Sequence, residues 1–200
     1  MTTILQLNSS LFTEASQSTR LADEFVARLR DKHPGAWVIR RDFASSPLPH
    51  LNEQTFKAAI TAPDKRTDEQ SRDVALADQL IAELRAADML VIGSPMYNFG
   101  VPSTLKAWFD HIARAGTSFR YTANGPEGLL KDKKAYLIMT RGGTYAGTAA
   151  DMMTPYIRQF LQFIGIDDIE FIFVEGLALG DESGRKAIES ANRRMEKLAA

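Results

Sequence analysis

Serine hydroxyls cluster between the first apolar stretch of the chain and its first helical pattern. Asn8-Ser9-Ser10 follows Ile4-Leu5-Gln6-Leu7, and Ser16-Gln17-Ser18-Thr19 runs directly into a helical pattern that begins at Leu21. Hydroxyls and the unpaired N–H groups of a helix start can hold a phosphate, which the helix dipole also favours. The same residues can instead form an ordinary helix cap, with Ser16 or Ser18 as the N-cap.

The chain lacks two motifs that would indicate which kind of phosphate group the serine cluster binds. No Gly-x-Gly-x-x-Gly follows a predicted strand, and no Gly-x-x-x-x-Gly-Lys is present. These motifs are typical of pyrophosphate and nucleoside triphosphate sites. The serine cluster is therefore better suited to a terminal monophosphate.

A second stretch combines aromatic side chains with an amide. Ser94-Pro95-Met96-Tyr97-Asn98-Phe99-Gly100 follows a strongly apolar run, and Pro102 fits the first positions of the next helix. A flat ring system needs apolar surface and a few hydrogen bonds, and Met96, Tyr97, Asn98 and Phe99 offer both. The alternative is a surface turn with incidental aromatic residues.

A third stretch, Thr140-Arg141-Gly142-Gly143-Thr144-Tyr145, carries two adjacent glycines. Glycines let backbone N–H groups approach a ligand closely. On its own this pattern usually marks only a flexible turn.

The elements that position these stretches alternate between strands and helices. Five short β-rich runs are predicted as strands: Ile4–Leu7, Trp37–Arg40, Met89–Gly93, Ala135–Met139 and Ile169–Val174. Each pair is separated by enough chain for a crossover helix, so the sheet is predicted to be parallel. In such a sheet, ligands bind beyond the carboxyl ends of the strands, where all three stretches would meet.

Helical patterns fill the intervals between the strands. Apolar stripes begin at Leu21, Leu76 and Leu105, and two later helices are expected near Thr154–Phe163 and Ser183–Leu198. We therefore predict an α/β fold: a flavodoxin-like three-layer sandwich with a five-stranded parallel sheet of order 2-1-3-4-5 and helices on both faces.

Two connections are longer than this scheme requires. Leu48 to Asp73 is polar, with a short helix expected near Asn52–Ala59, and Gly116 to Lys133 contains Ser118-Phe119-Arg120-Tyr121. Connections of this length often carry binding or subunit contacts.

Composition excludes several classes of function. The 24 basic and 25 acidic residues are mixed along the chain, which disfavours nucleic acid and anionic membranes as partners. The chain has no cysteine, so disulfides and thiolate chemistry are excluded and any redox chemistry belongs to a bound cofactor. We expect one domain over residues 1–200, no metal site, no membrane span and a cytoplasmic location.

Taken together, the motifs resemble one known family, the bacterial FMN-dependent NADH-azoreductases that also act as quinone reductases. The resemblance covers nearly the whole chain, and its segments are Ser16-Gln17-Ser18, Pro95-Met96-Tyr97-Asn98-Phe99, Ala113-Arg114-Ala115-Gly116 with Thr117-Ser118-Phe119-Arg120-Tyr121-Thr122, Asn124-Gly125-Pro126-Glu127-Gly128-Leu129, Arg141-Gly142-Gly143 and Phe163-Ile164-Gly165.

The resemblance implies one FMN per subunit and assigns residues to it. Ser10, Ser16, Gln17 and Ser18 would bind the phosphate, and Met96, Tyr97, Asn98 and Phe99 would hold the ring. The pyrimidine side would be contacted by the third stretch, namely Thr140, Arg141, Gly142 and Gly143. Thr140 stands where the family often has serine, a change that keeps the hydroxyl.

The activity implied is ping-pong: hydride passes from NADH to flavin N5 and then to a quinone or, over two cycles, to an azo compound. Phe99, Phe119 and Tyr121 would line an open substrate site, and no side chain is assigned as an acid or base. The resemblance also implies a homodimer with active sites lined by both subunits. The sequence does not distinguish NADH from NADPH as the hydride donor, because it contains no recognisable site for the adenine ribose.

Other functions remain as alternatives. A flavodoxin-like electron carrier shares the fold, but such carriers are usually strongly acidic, and a non-catalytic FMN-binding protein is also open. A hydrolase is disfavoured, because Ser94 lies outside a Gly-x-Ser-x-Gly motif and His33, His50 and His111 lack evident partners.

Overall fold

The computed structural model describes residues 1–13 and 15–200. Its central feature is a five-stranded sheet whose neighbouring strands are all parallel. In chain order the sheet strands are β1 (Thr3–Asn8), β2 (Trp37–Asp42), β3 (Met89–Pro95), β6 (Lys134–Thr140) and β7 (Asp168–Val174), and two further strands are β4 (Phe119–Thr122) and β5 (Gly125–Gly128). The sheet order is β2-β1-β3-β6-β7. The predicted order 2-1-3-4-5 is therefore confirmed.

The residues that the structure describes form six α-helices and one short 3-10 helix (Pro63–Lys65), which connect or follow the strands: α1 (Gln17–Lys32), α2 (Glu53–Ile60), α3 (Asp68–Ala86), α4 (Ser103–Ile112), α5 (Met153–Phe163) and α6 (Asp181–Ala199). α1 and α6 pack on one face of the sheet, and α3, α4 and α5 pack on the other. The predicted helices are all present, including the short helix expected near Asn52–Ala59.

Successive side chains along each strand point to opposite faces of the sheet, which produces two separate layers of hydrophobic core. In β1, Ile4 faces α1 and α6, while Leu5 and Leu7 face the opposite layer. β3 repeats the pattern, with Val91 on the first side and Leu90 and Ile92 on the second. Both faces are buried, which explains why these strands are continuous apolar runs.

The start of α1 lies unusually close to the central strand β3. A Cβ atom on Gly93 would come 2.7 Å from the backbone oxygen of Ser18 and 3.3 Å from the Cβ of Ala22. Only glycine permits this approach without moving the backbone. The first turn of α1 is thereby held beside the carboxyl end of β3.

One element was not predicted. The connection from Gly116 to Lys133 contains an antiparallel hairpin, in which Phe119 pairs with Gly128 and Thr122 with Gly125. Ala123 and Asn124 form the turn, and Gly125 follows with a φ of 107°, a backbone conformation that favours glycine. This hairpin packs against α5, which ends near the amino edge of the sheet.

Within the described residues, no helix is both long enough and apolar enough to span a lipid bilayer.

Candidate functional site

The first loop brings buried hydroxyls to the start of α1. Ser16 is the N-cap, and its Oγ accepts a hydrogen bond from the Thr19 N–H at 3.1 Å. The Oγ atoms of Ser16 and Ser18 lie 3.2 Å apart, and Ser10 is also buried. Among the described residues nothing accepts the N–H groups of Gln17 and Ser18. The loop therefore presents hydroxyls and helix N–H groups together, with no cationic side chain among them.

The second loop is a tight turn in which two non-glycine residues adopt left-handed backbone. The N–H and C=O groups of Tyr97 pair with those of Gly100 at 3.1 and 3.0 Å. Between them, Asn98 has a φ of 49° and Phe99 a φ of 65°. Asparagine tolerates this region, but phenylalanine rarely adopts it, so the turn stores strain. Strained backbone of this kind is concentrated at functional sites.

The same turn leaves donors and apolar surface pointing outward. In the described part of the chain, the N–H groups of Asn98 and Phe99 make no hydrogen bond. The Phe99 side chain is 53 % exposed. A planar ligand lying on this turn would meet two backbone donors and an aromatic side chain.

Hydrogen bonds fasten the loops to one another. The Tyr97 hydroxyl accepts the Leu11 N–H at 3.2 Å and lies 3.4 Å from the Ser10 Oγ. The Met96 N–H donates to the Thr140 oxygen at 2.8 Å, which joins the second loop to the end of β6. The predicted convergence of three loops at one sheet edge is thus present as direct contacts.

The third loop is shaped by pairing with the segment that follows β7. The oxygens of Arg141 and Gly142 accept the N–H groups of Leu177 and Ala178 at 3.1 and 2.9 Å. Because a trans peptide places its N–H opposite its C=O, the N–H groups of Gly142 and Gly143 point away from that segment. Both N–H groups lack an acceptor within the described residues. The glycines therefore offer two backbone donors.

The side chain of Arg141 is fully buried and hydrogen-bonded to three other side chains. Its Nη1 and Nη2 donate to Asp151 at 3.1 and 2.9 Å, and they also reach Glu175 at 3.0 Å and Thr154 at 2.7 Å. The guanidinium stacks over Phe173, 4.9 Å from the ring centre. This side chain supports the loop from within and does not face the open edge.

Asp151 and Glu175 are functional candidates that the sequence analysis missed. Asp151 also binds the first turn of α5 through the N–H and hydroxyl of Thr154, at 3.0 and 2.7 Å. Burial acts to raise the pKa of Asp151, but the hydrogen bonds from Thr154 and Arg141 outweigh it and lower that pKa. Asp151 is therefore ionised in the folded protein. Its place in the sequence, three residues before Thr154, is a recognisable cap signal.

The three predicted substrate-wall residues do not lie together in one chain. Phe99 lies on the second loop and packs edge-on against Tyr145, with 5.7 Å between ring centres. Phe119 and Tyr121 belong to the β4–β5 hairpin, which follows α4. Since α4 starts beside the second loop and its 10 residues span about 15 Å, the hairpin lies toward the other edge of the sheet.

The hairpin aromatics also differ from each other. Phe119 is buried and packs against Phe163, with 4.3 Å between ring centres. Tyr121 is 76 % exposed and stands edge-on to Phe119. Both residues line a cavity of about 860 Å³ that also includes Phe56, Ile60 and Arg114. Phe119 therefore supports the ring of Tyr121, which is the more exposed of the two.

Comparisons with known proteins show which family this chain is similar to. Residues 2–199 match a family model described as flavodoxin-like fold. The chain is 55 % identical to an FMN-dependent NADH:quinone oxidoreductase from Burkholderia lata, covering 96 % of each chain. It is 53 % identical to an FMN-dependent NADH:quinone oxidoreductase from Aromatoleum aromaticum, covering 98 % of this chain and 99 % of the other. A crystal structure of azoreductase from Bacillus anthracis matches with a TM-score of 0.90 at 29 % identity, covering 100 % of this chain and 99 % of that one.

The buried charge network predicts a pH-dependent contribution to stability. Asp151→Asn keeps a helix-capping side chain but removes the charge that faces Arg141, so we expect the free energy of unfolding at pH 7 to fall by about 2 kcal/mol. Because the folded-state pKa of Asp151 is lowered, its stabilisation is complete above its usual pKa of 3.8 and is lost as the pH falls below that value.

Urea unfolding of both proteins at several pH values checks this expectation. The wild type and Asp151→Asn should differ at pH 7 and converge in acid. Glu182→Gln, which removes an exposed ion pair with Lys186, is the matched control and should change little at any pH. A difference that stays constant across the acid range would contradict the ionised pairing of Asp151 with Arg141.

Proposed function

We propose that this chain, which belongs to the flavodoxin-like family of FMN-dependent NADH:quinone oxidoreductases, binds one FMN, oxidises NADH and reduces quinones. The chemistry that bound FMN supplies is the transfer of two electrons from NADH to an acceptor. The observation that carries the proposal is that hydrogen bonds join the three loops into one site. The Tyr97 hydroxyl binds the first loop, and the Met96 N–H binds the Thr140 oxygen at the start of the third. Residues 1–200 serve as a single FMN-binding domain in this proposal.

The residues of the first loop fit the terminal phosphate of FMN. Ser10, Ser16 and Ser18 supply hydroxyls, and Gln17 and Ser18 supply N–H groups at the positive end of the α1 dipole. A dianionic phosphate would gain hydrogen bonds from these hydroxyls and N–H groups. Arg20 donates to the Gln17 side-chain oxygen at 2.9 Å, which leaves the Gln17 amide N–H groups free to turn toward the phosphate.

The second and third loops fit the two sides of the flavin ring system. Met96, Tyr97, Asn98 and Phe99 would hold the ring with apolar contacts and with the two outward N–H groups of the left-handed turn.

Thr140, Gly142 and Gly143 would contact the pyrimidine side, and Arg141 would act by holding the loop in place. The glycine N–H groups would stabilise negative charge that develops on the pyrimidine side during reduction.

Substrates would occupy the open face above this site in alternation. The exposed ring of Phe99, together with the adjacent Tyr145, offers apolar surface without tight polar recognition, which suits a nicotinamide and a quinone in turn. The same face would admit aromatic azo compounds, whose cleavage to two amines takes two NADH turnovers.

We also propose a cytoplasmic location, where NADH is available as donor; NADPH is a second donor to be compared directly.

Anaerobic mixing tests the proposed activity. NADH added to the FMN-loaded protein should bleach the flavin absorbance, and a stoichiometric quinone should then restore it, because both reactants use the same face. Bleaching without restoration by any quinone or azo dye would instead identify an electron carrier. If neither NADH nor NADPH bleaches the flavin, the proposed reductase activity is contradicted. The chain would then be a non-catalytic FMN-binding protein.

We further propose that the active protein is a homodimer in which Tyr121 covers the flavin site of the partner subunit. The length of α4 separates Tyr121 from Phe99 of its own chain, yet Tyr121 is strongly exposed and packs edge-on against Phe119. Phe56 and Ile60 are also exposed beside the same cavity. Exposed apolar side chains grouped in this way favour a protein interface.

Subunit complementation tests this arrangement. Ser18→Asp places a carboxylate at the proposed phosphate site and should abolish FMN binding through like-charge repulsion, while Tyr121→Ala should weaken substrate use. Each variant alone should have low quinone reductase activity. Refolded together, they should recover about one quarter of wild-type activity, because half of the dimers are mixed and each of these has one complete site. No recovery from mixtures proven to contain mixed dimers would contradict the shared site.

A further inference from the structure

Glu175 lies directly after β7 and serves as an acceptor for the third loop. Its Oε1 receives the N–H groups of Tyr145 and Ala146, both at 2.8 Å, and the Nη1 of Arg141 at 3.0 Å. Three donors thus converge on one carboxylate oxygen. The Glu175 side chain is 15 % exposed, so these hydrogen bonds are largely shielded from water. Charge-assisted hydrogen bonds in such surroundings are among the stronger ones in proteins.

These contacts fix both ends of the Gly142–Gly143 turn. Before the turn, the Arg141 side chain is tied to Glu175 and Asp151. After the turn, the backbone of Tyr145 is tied to Glu175. Two adjacent glycines are otherwise the most flexible backbone available, so their direction depends on these attachments.

The position of the Tyr145 ring follows from the same attachment. A Cβ on Gly143 would lie 2.7 Å from the Tyr145 hydroxyl oxygen, so the ring folds back over that glycine. The ring also packs edge-on against Phe99 on the second loop. Glu175 therefore fixes a residue that bridges two of the three loops, although Glu175 itself lies outside them.

We propose that Glu175 is a positioning residue for the flavin site: by holding Arg141, Tyr145 and Ala146 at one oxygen, it aims the Gly142 and Gly143 N–H groups at the FMN ring and holds Tyr145 against Phe99. This inference deepens the proposed function and rests on it. Glu175 does not touch substrate in this account. Its effect is transmitted through the backbone of the third loop.

The first test uses the flavin-free protein and needs no activity. In Glu175→Ala the N–H groups of Tyr145 and Ala146 lose a charged acceptor, and their hydrogen exchange should become at least about tenfold faster. Glu175→Gln keeps an oxygen that can accept all three hydrogen bonds but removes the negative charge, so the exchange of these two N–H groups should be closer to wild type. The matched control is Glu170→Gln on β7, the strand that precedes Glu175. This change breaks an exposed ion pair between Glu170 and Arg194 of α6 and should leave the exchange of Tyr145 and Ala146 unchanged.

The second test measures FMN affinity by quenching of flavin fluorescence, at temperatures where all variants are folded. We expect the FMN dissociation constant to rise about tenfold in Glu175→Ala, less in Glu175→Gln and not at all in Glu170→Gln. Faster exchange or lower stability with unchanged FMN affinity would make Glu175 merely structural and overturn the proposal. Equal losses in Glu175→Ala and Glu175→Gln would also overturn it.

FMN binding and the positioning role of Glu175 can be contradicted separately. If the wild-type chain does not bind FMN, the proposed function fails, whatever the exchange of Tyr145 and Ala146. If the wild type binds FMN and is bleached by NADH but Glu175→Ala binds it equally well, only the positioning role of Glu175 fails.

Discussion

The hydrogen bonds between loops at the carboxyl edge of the sheet are the constraint on which the rest of the site depends. Loops that follow different strands have no intrinsic reason to keep a fixed spacing. Here the Tyr97 hydroxyl binds the loop after β1, and the Met96 N–H binds the end of β6. The second loop thus acts as the link between its neighbours. A ligand that spans all three loops meets a preformed site and pays little to organise it.

The sheet and helices beneath this edge hold the loops in place at two points, beside Gly93 and around Arg141. The absence of a side chain at Gly93 lets the start of α1 approach β3 closely, which fixes the serine hydroxyls relative to the second loop. On the other side, a buried arginine with two carboxylates stabilises the glycine loop. Such charge networks are costly to bury and add little to stability compared with apolar packing. Their value here is geometric, because they fix backbone that glycine would leave free.

Much of the fold could be predicted from the sequence, because buried parallel strands read as continuous apolar runs. Met89–Gly93 and Ala135–Met139 fall within β3 and β6 for this reason. The hairpin is not predicted although Asn124-Gly125 marks a turn, because β4 and β5 have only four residues each and β5, Gly-Pro-Glu-Gly, lacks the residue types typical of strands. The three loops were correctly placed by topology, as each follows a strand of the same parallel sheet.

Details of the site were less accessible to sequence reasoning. An arginine beside two glycines suggests a ligand contact, whereas the partners that bury Arg141 lie 10 and 34 residues away in the chain. The left-handed conformation of Phe99 runs against its local preference and is imposed by the paired backbone of Tyr97 and Gly100. The separation of Tyr121 from Phe99 follows from the direction of α4, which no local motif encodes.

The central claim is that one FMN occupies the three linked loops, and mapping of backbone amide signals by nuclear magnetic resonance during FMN titration tests it most directly. We expect saturation at one FMN per chain, with the largest shifts at the N–H groups of Gln17, Ser18, Asn98, Phe99, Gly142 and Gly143. Shifts confined to other surfaces, such as the cavity beside Phe56 and Ile60, with these six signals unmoved, would contradict it.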